Sequence, residues 1–354
     1  MTTAESTSAL PHLPPSVVLM QMIGGTQVSH MIGVAAQLGI ADLLANGPKS
    51  IAELAAATGT HAPSLFRLLR GLASLGIFAE DDQGNFMLTS LAQPLQSGVP
   101  GSLHAFALFN VSEAVVRPWI ELAYSVRTGE AARRHIFGMS TWEYLAQHPD
   151  LDAIYNAAVS ELSFHDNAAV LAAYDFAGIH TLVEVGGGQG TLMTSLLAAY
   201  PSLRGVLMDQ AHVLPGTRTV LEAAGLADRC ELIAGNFFES VPPAGDAYLL
   251  KRVIHDWDDA QAVAILAKCH QAMAQQGKLL VIESIIPPGN TPHPGKLMDL
   301  IMLVALGGKE RTEAEYRTLL DQAGFAVTSI TPTRTGQSVI EAAPVQRPYQ
   351  RHSF

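Results

Sequence analysis

At 354 residues, with 48% hydrophobic and 15% charged side chains, the chain is long enough for two domains and too apolar to be disordered. A formal net charge of -11 argues against a polyanion as its main partner, so neither nucleic acid nor an acidic membrane surface is expected. Its two cysteines, Cys230 and Cys269, have neither CxxC nor metal-ligand spacing; they exclude a disulfide framework and fit a reducing cytoplasm.

Residues 1–15 are rich in Ser, Thr and Pro without a basic n-region, and read as a tail, not a signal peptide. Ser16 to Ala41 carries no Lys, Arg, Asp or Glu, a pattern that a membrane helix shares. Gln21, Gln27, Ser29, His30, Gln37 and four glycines interrupt it, which favours helices buried against another subunit. Ser50-Ile-Ala-Glu53 is a capping box, Gly59 stops that helix, and Pro63 opens another with a stripe of Leu65, Leu68, Leu69, Leu72 and Leu75. Asp-Asp-Gln-Gly-Asn within Phe78–Thr89 then marks a hairpin. Helix, turn, helix, hairpin is the winged-helix layout over 16–102. Only Arg67 and Arg70 on the second helix would meet phosphates, and the wing tip is acidic at Glu80, Asp81 and Asp82. Subunit contact therefore fits this domain better than DNA binding.

From 103 to 178 the pattern is helical, with Trp119, Trp142, Tyr144 and Tyr155 as anchors, and is read as a linker and substrate lid. Between 179 and 345 the β-rich runs Thr181–Val185, Gly205–Met208, Ala247–Leu250, Lys278–Ile282, Phe325–Ile330 and Ser338–Ala342 alternate with helices. That alternation predicts an α/β domain with a mostly parallel sheet. Residues 346–354 read as a second tail.

The segment LVEVGGGQG, Leu182 to Gly190, runs from a buried strand through a glycine loop into a helix. Glycines at 186, 188 and 190 allow a sharp turn and close approach of a ligand. Thr191 stands where the dinucleotide fingerprint needs glycine, and Glu184 precedes the loop. A carboxylate there suits a ligand bearing an ammonium group better than a pyrophosphate. Asp209, at the tip of the next strand, is placed to accept both ribose hydroxyls, with a turn residue as the plain alternative. Asn236 offers an adenine-edge partner and Phe237 a flat face, whereas Phe238 is read as core packing. An amino acid joined to a nucleoside satisfies these groups together: S-adenosylmethionine.

His255, in Lys251-Arg-Val-Ile-His-Asp-Trp-Asp-Asp259, lies just past a strand end, where open α/β sheets bind ligands. Its ordinary pKa, about 6.5, suits proton abstraction. Glu283 closes the next strand, and Glu310 precedes a second capping box, Thr312-Glu-Ala-Glu315, so both acids are placed to converge on the histidine. The plainer readings are a solvated strand end for Glu283 and a helix-terminal charge for Glu310. His255, Asp256, Asp258 and Asp259 also have the composition of a metal site, although adjacent acids at a helix start more often cap it. No metal is expected.

Through LVEVGGGQG, GNFF, KRVIHDW and GGKERT, the chain resembles the two-domain small-molecule O-methyltransferases of the plant caffeate and bacterial phenazine or polyketide type, over about Gln27 to Ala342. The resemblance implies a winged-helix dimerisation domain, hence a homodimer, and a Rossmann-like methyltransferase domain whose last strand is antiparallel. It implies His255 as base, held by Glu283 and Glu310. Ser163, Glu184, Gly186, Gly188, Gly190, Asp209, Asn236, Phe237 and Lys251 would bind S-adenosylmethionine. Val159, Phe164, Trp257 and Met302 would form an apolar slot for a small aromatic hydroxylated substrate. Asn236 replaces the usual Asp, Val159 replaces a methionine that clamps the substrate ring, and Val304–Gly308 is one residue shorter than in plant members. These departures bear on the substrate. The other readings are a decarboxylase or hydroxylase on the same scaffold, and a winged-helix DNA-binding regulator.

Overall fold

A computed structural model describes residues 13–345, apart from residue 275 and the side chain of His165; the N-terminal tail up to 12 and the tail at 346–354 lie outside the described residues. The chain divides into two units, meeting between Val111 and Ser112.

The first unit begins with α1 (Pro15–Ile23), α2 (Gly25–Gln37) and α3 (Ile40–Leu43). There follow β1 (Lys49–Ser50), α4 (Ile51–Thr58), α5 (Ala62–Ser74), β2 (Phe78–Glu80), β3 (Asn85–Leu88) and α6 (His104–Asn110). The Ser50–Glu53 capping box is formed in both directions, and Gly59 ends α4 in the left-handed region. Asp81 Oδ1 accepts from the backbone N–H of Gln83 and Asn85, which closes the hairpin turn. The antiparallel sheet β1-β3-β2 packs Phe78 and Phe86 against Leu54, Leu69 and Leu72. This is the winged helix that the sequence predicts. Pro15–Gln37 is long and apolar enough by composition to cross a membrane, and within it Gly33, Ala35 and Ala36 are buried. Leu19, Met20, Met22 and Ile23 stand exposed on α1.

The second unit opens with α7 (Glu113–Ile120), α8 (Leu122–Thr128), α9 (Ala132–Phe137), α10 (Thr141–Gln147) and the long α11 (Pro149–Ala173). The alternating part follows as β4 (Thr181–Val185), α12 (Thr191–Ala199), β5 (Arg204–Asp209), α13 (Leu214–Ala223), β6 (Cys230–Ala234) and β7 (Ala247–Lys251). Next come α14 (Asp259–Ala272), β8 (Lys278–Ser284), α15 (Gly295–Ala305), α16 (Glu313–Gln322), β9 (Phe325–Pro332) and β10 (Gln337–Pro344).

Seven strands form one sheet in the order β6-β5-β4-β7-β8-β10-β9. All adjacent pairs are parallel except those of β10, which runs antiparallel to β8 and β9. Alternating side chains explain the two covered faces: Leu279 and Val281 join the layer with α14 and α16, while Leu280 and Ile282 join the layer with α12. The order reverses between β4 and β7, and the crevice at their carboxyl ends is where this architecture places a ligand. Strand β6 is missing from the sequence reading; it is a short edge strand whose Glu231 and Ala234 are exposed, so its apolar signal is weak. The helical stretch read as one linker contributes α6 to the first unit and α7–α11 to the second.

Candidate active site

A cavity of about 450 Å³ opens at that crevice, entirely within the second unit. Gly186, Gly188 and Gly190 all have positive φ (71°, 55° and 69°), which explains why the turn after β4 requires glycine. Asp209 Oδ2 accepts from Gly188 N–H at 2.8 Å, so the acid at the tip of β5 also fixes the loop. The Glu184 carboxyl is 3% exposed, its Oε2 has no hydrogen-bond partner, and burial pushes its pKa to about 8. A buried carboxyl with one unpartnered oxygen beside a glycine loop fits the ammonium group of S-adenosylmethionine. Ser163, Asn236, Phe237 and Lys251 line the same cavity. The Asn236 amide has local partners: Nδ2 donates to Glu239 and Oδ1 accepts from Phe238 N–H. Phe237 and Phe238 pack edge-on against Trp257, and all three line the cavity.

His255 is 5% exposed, on a 3-10 turn between β7 and α14. Its Nδ1 lies 2.8 Å from Glu310 Oε1 and 3.6 Å from Glu283 Oε2. Because a carboxylate only accepts, Nδ1 is the donor to Glu310, and Nε2 is the nitrogen turned away from that pair. Nε2 faces Asp256 Oδ1 at 3.4 Å, and Asp256 lines the cavity. Glu283, fully buried, accepts at Oε1 from the N–H groups of Val253, Ile254 and His255 at 3.0, 2.8 and 3.3 Å. It therefore holds the backbone of the turn by hydrogen bonds, while its Oε2 acts on the ring by charge alone. Burial works against the imidazolium, but Glu283, Asp256 and Glu310 outweigh it and raise the His255 pKa to about 9. Burial raises Asp256 to about 7.

Two supports were not legible in the sequence. Arg311, fully buried, donates Nη1 to Ile254 O and Nη2 to Trp257 O, bracketing His255, and also donates Nε to Asp259. Gly308 lies so close beneath the turn that a Cβ would overlap the His255 carbonyl. The second support ties the turn to α11. Lys251 Nζ donates to Asn167 Oδ1 at 2.7 Å, and Arg252 Nη2 donates to Asp166 Oδ2 at 2.8 Å. Asn167 Nδ2 in turn donates to Thr191 Oγ1, at the start of α12 beside the glycine loop. Arg252 holds a left-handed backbone, φ 53°, to make this reach.

Of the expected slot residues, Val159 and Trp257 line the cavity; Phe164 and Met302 do not. Phe164 follows Ser163 on α11, so it is turned about 100° away, and it is half-exposed. Met302 is buried on α15, which packs with α7, α8 and α9. His255, Glu283, Glu310 and Gly190 stand behind the lining.

The O-methyltransferase domain family matches residues 119–326, and the O-methyltransferase dimerisation domain family matches residues 20–97. This chain belongs to the O-methyltransferase family. It is 44% identical to a phenazine O-methyltransferase of Lysobacter antibioticus, covering 94% of this chain and 97% of that protein. The crystal structure of LaPhzM superposes with a TM-score of 0.91 at 44% identity, covering 94% of this chain and 100% of the other. An O-methyltransferase from neocarzinostatin biosynthesis, solved with S-adenosylmethionine and 2-hydroxy-5-methyl naphthoic acid, gives a TM-score of 0.77 at 37% identity, covering 90% and 96%. The enzyme is thus an S-adenosylmethionine-dependent O-methyltransferase with a Rossmann-like catalytic domain and a helical dimerisation domain.

Proposed function

We propose that this O-methyltransferase methylates a phenolic hydroxyl of a small aromatic secondary metabolite, with His255 as general base and no metal. The observation that carries this reading is the orientation of the imidazole: Nδ1 is fixed on Glu310, leaving Nε2 beside the cavity wall. A phenol of pKa ~10 is neutral at pH 7, so its proton must be removed as the oxygen attacks. S-adenosylmethionine, when bound, supplies the electrophilic methyl group. Glu184 would hold its ammonium group, Asp209 its ribose, and Asn236 and Phe237 its adenine. Nε2 of His255 would take the phenolic proton, while Glu310 fixes the tautomer and both Glu310 and Glu283 stabilise the imidazolium that forms. Alignment by the cavity walls contributes ~7–11 kcal/mol to such a transfer.

The ligand atoms of His255, Glu283 and Glu310 lie within 4.8 Å of one another, a spacing that also suits a metal. We favour the metal-free reading because Nδ1, the ring nitrogen that faces both acids, carries the proton donated to Glu310 Oε1, even though Oε2 of each acid has no hydrogen-bond partner. The exposed apolar face of α1 supports a homodimer through the first unit, the acidic wing speaks against nucleic acid, and the polar and glycine interruptions of 16–41 speak against a membrane; the two free cysteines fit the cytoplasm. Calorimetric titration with S-adenosylmethionine, with and without magnesium, tests the cofactor and metal assignments. Labelled methyl appearing on a phenol tests the reaction. Binding that requires magnesium would overturn the metal-free mechanism, and loss of label to no phenol would overturn the acceptor class.

A further inference from the structure

The cofactor end of the cavity is accounted for by Glu184, Asp209 and the glycine loop, but one wall of the other end is not. That wall is the earlier part of α11, whose Asp152, Tyr155, Asn156 and Ser160 face the cavity at helical spacing on the same side as Val159 and Ser163. At ~1.5 Å per residue, Asp152 stands roughly 16 Å along the axis from Ser163. The far end also carries Trp142 and Leu145.

The polar groups at 152, 156 and 160 offer a ligand acceptors alone, beside the Tyr155 hydroxyl and the Trp142 indole. Asn156 Nδ2 donates to the Asp152 carbonyl at 2.9 Å and to Asp152 Oδ2 at 3.0 Å, which uses both amide hydrogens. The Ser160 hydroxyl donates to Asn156 O at 2.8 Å. What remains for a ligand is the Asn156 amide oxygen, the Asp152 carboxylate and the lone pairs of Ser160. The two cations lining the cavity, Lys251 and Arg252, already donate to Asn167 and Asp166. Asp256 adds a second carboxylate. Tyr155 reports the resulting field: burial first, then Asp256, with help from Asp209 and Asp152, raises its pKa against a weaker opposing pull from Arg133. A favourable charge at the start of a helix explains Asp152 alone, but not Asn156 and Ser160 one and two turns further on.

We propose that Asp152, Asn156 and Ser160 form an acceptor-only subsite, so that the aromatic substrate carries an amine or second hydroxyl remote from the methylated oxygen, and no carboxylate at that end. The inference rests on the phenolic reading of the site. A naphthoic acid of the kind bound by the neocarzinostatin enzyme, turned with its carboxylate to this end, would face Asp152 without a cation.

Three probes on one ring system test this: 1-naphthol, 5-amino-1-naphthol and 5-hydroxy-1-naphthoic acid. Binding is read from tryptophan fluorescence, since Trp142 and Trp257 line the cavity, with S-adenosylhomocysteine present. The aminonaphthol should bind about tenfold tighter than 1-naphthol, the gain expected of a hydrogen bond to a charged acceptor, and the naphthoic acid most weakly. Asp152→Asn should shrink the amine's advantage to about threefold or less and improve the acid; Asn156→Leu, the second variant, should also weaken the amine. Naphthoic acid binding as well as 1-naphthol, or an order unchanged in both variants, would overturn the subsite. Ordered binding without methylation of any probe would leave the subsite standing and remove the phenolic acceptor instead.

Discussion

The Nδ1 atom of His255 and the Oε1 atom of Glu310 lie 2.8 Å apart in a site where neither residue is more than 5% exposed. This contact sets both the tautomer and the charge of the base. With its pKa raised to about 9, His255 is an imidazolium at neutral pH, and its base form appears as pH rises. The kcat/KM of the enzyme should therefore climb from pH 7 toward about 9. Glu310→Gln removes a negative neighbour, so the pKa falls and the ascending limb moves to lower pH. The maximum rate falls as well, because the imidazolium formed during transfer loses its partner. His255→Ala should cut turnover by about 10²–10⁴-fold with cofactor affinity nearly intact. A limb that moves upward in Glu310→Gln, measured as a pH–rate profile, would contradict this arrangement.

Glu184 gives the cofactor a pH dependence of its own. With its pKa raised to about 8, the group is largely protonated at pH 6 and must lose that proton to pair with an ammonium. Affinity for S-adenosylmethionine should rise with pH from 6 to about 7.5, above which the cofactor's own α-amino group begins to deprotonate. Calorimetry in buffers of different ionisation enthalpy should show proton release at pH 7. Glu184→Gln should weaken binding and abolish the proton release; retained release would assign it to another group.

Arg311 brackets His255 through two carbonyls, and a lysine has one donor centre where the guanidinium has a fork. Arg311→Lys should therefore lose at least one of these buried charge-assisted hydrogen bonds, at about 1–3 kcal/mol. The expected signature is a lowered melting temperature and a lowered kcat, with the KM for cofactor little changed. A change confined to cofactor KM would show that the arginine acts elsewhere.

Arg252 combines a left-handed backbone with the Asp166 contact, and two variants separate them. Arg252→Ala loses the ion pair and keeps the strain, whereas Arg252→Gly loses the ion pair and relieves it. The glycine variant should be the more stable by about 1 kcal/mol, inverting the usual order of the two residues. Thermal unfolding measures the difference, and an alanine variant at least as stable would mean that φ at 252 carries no strain.

Features built from neighbouring residues were legible in the sequence. The Ser50–Glu53 and Thr312–Glu315 boxes form as their spacing predicts, because a cap needs only one turn of chain. The glycine loop and the mostly parallel sheet follow from equally local patterns. The convergence of His255, Glu283 and Glu310 rested on their places at strand ends and beside a cap, which the sheet order brings together. Asp166, Asn167 and Arg311 gave no such signal: each acts through partners 24 to 86 residues away. Phe164 and Met302 were expected from resemblance, and the turn of one helix and the packing of another place them outside the cavity.

Helix α11 is gripped at one end and free to vary at the other. Asp166 and Asn167 lock its later turns to the cofactor machinery, while Asp152 and Asn156 meet the acceptor three to four turns earlier. Substitutions at 152, 156 or 160 can thus recut the acceptor's seat without shifting the sulfonium's. A scaffold with that division can change what it methylates by small steps, each leaving the methyl donor undisturbed.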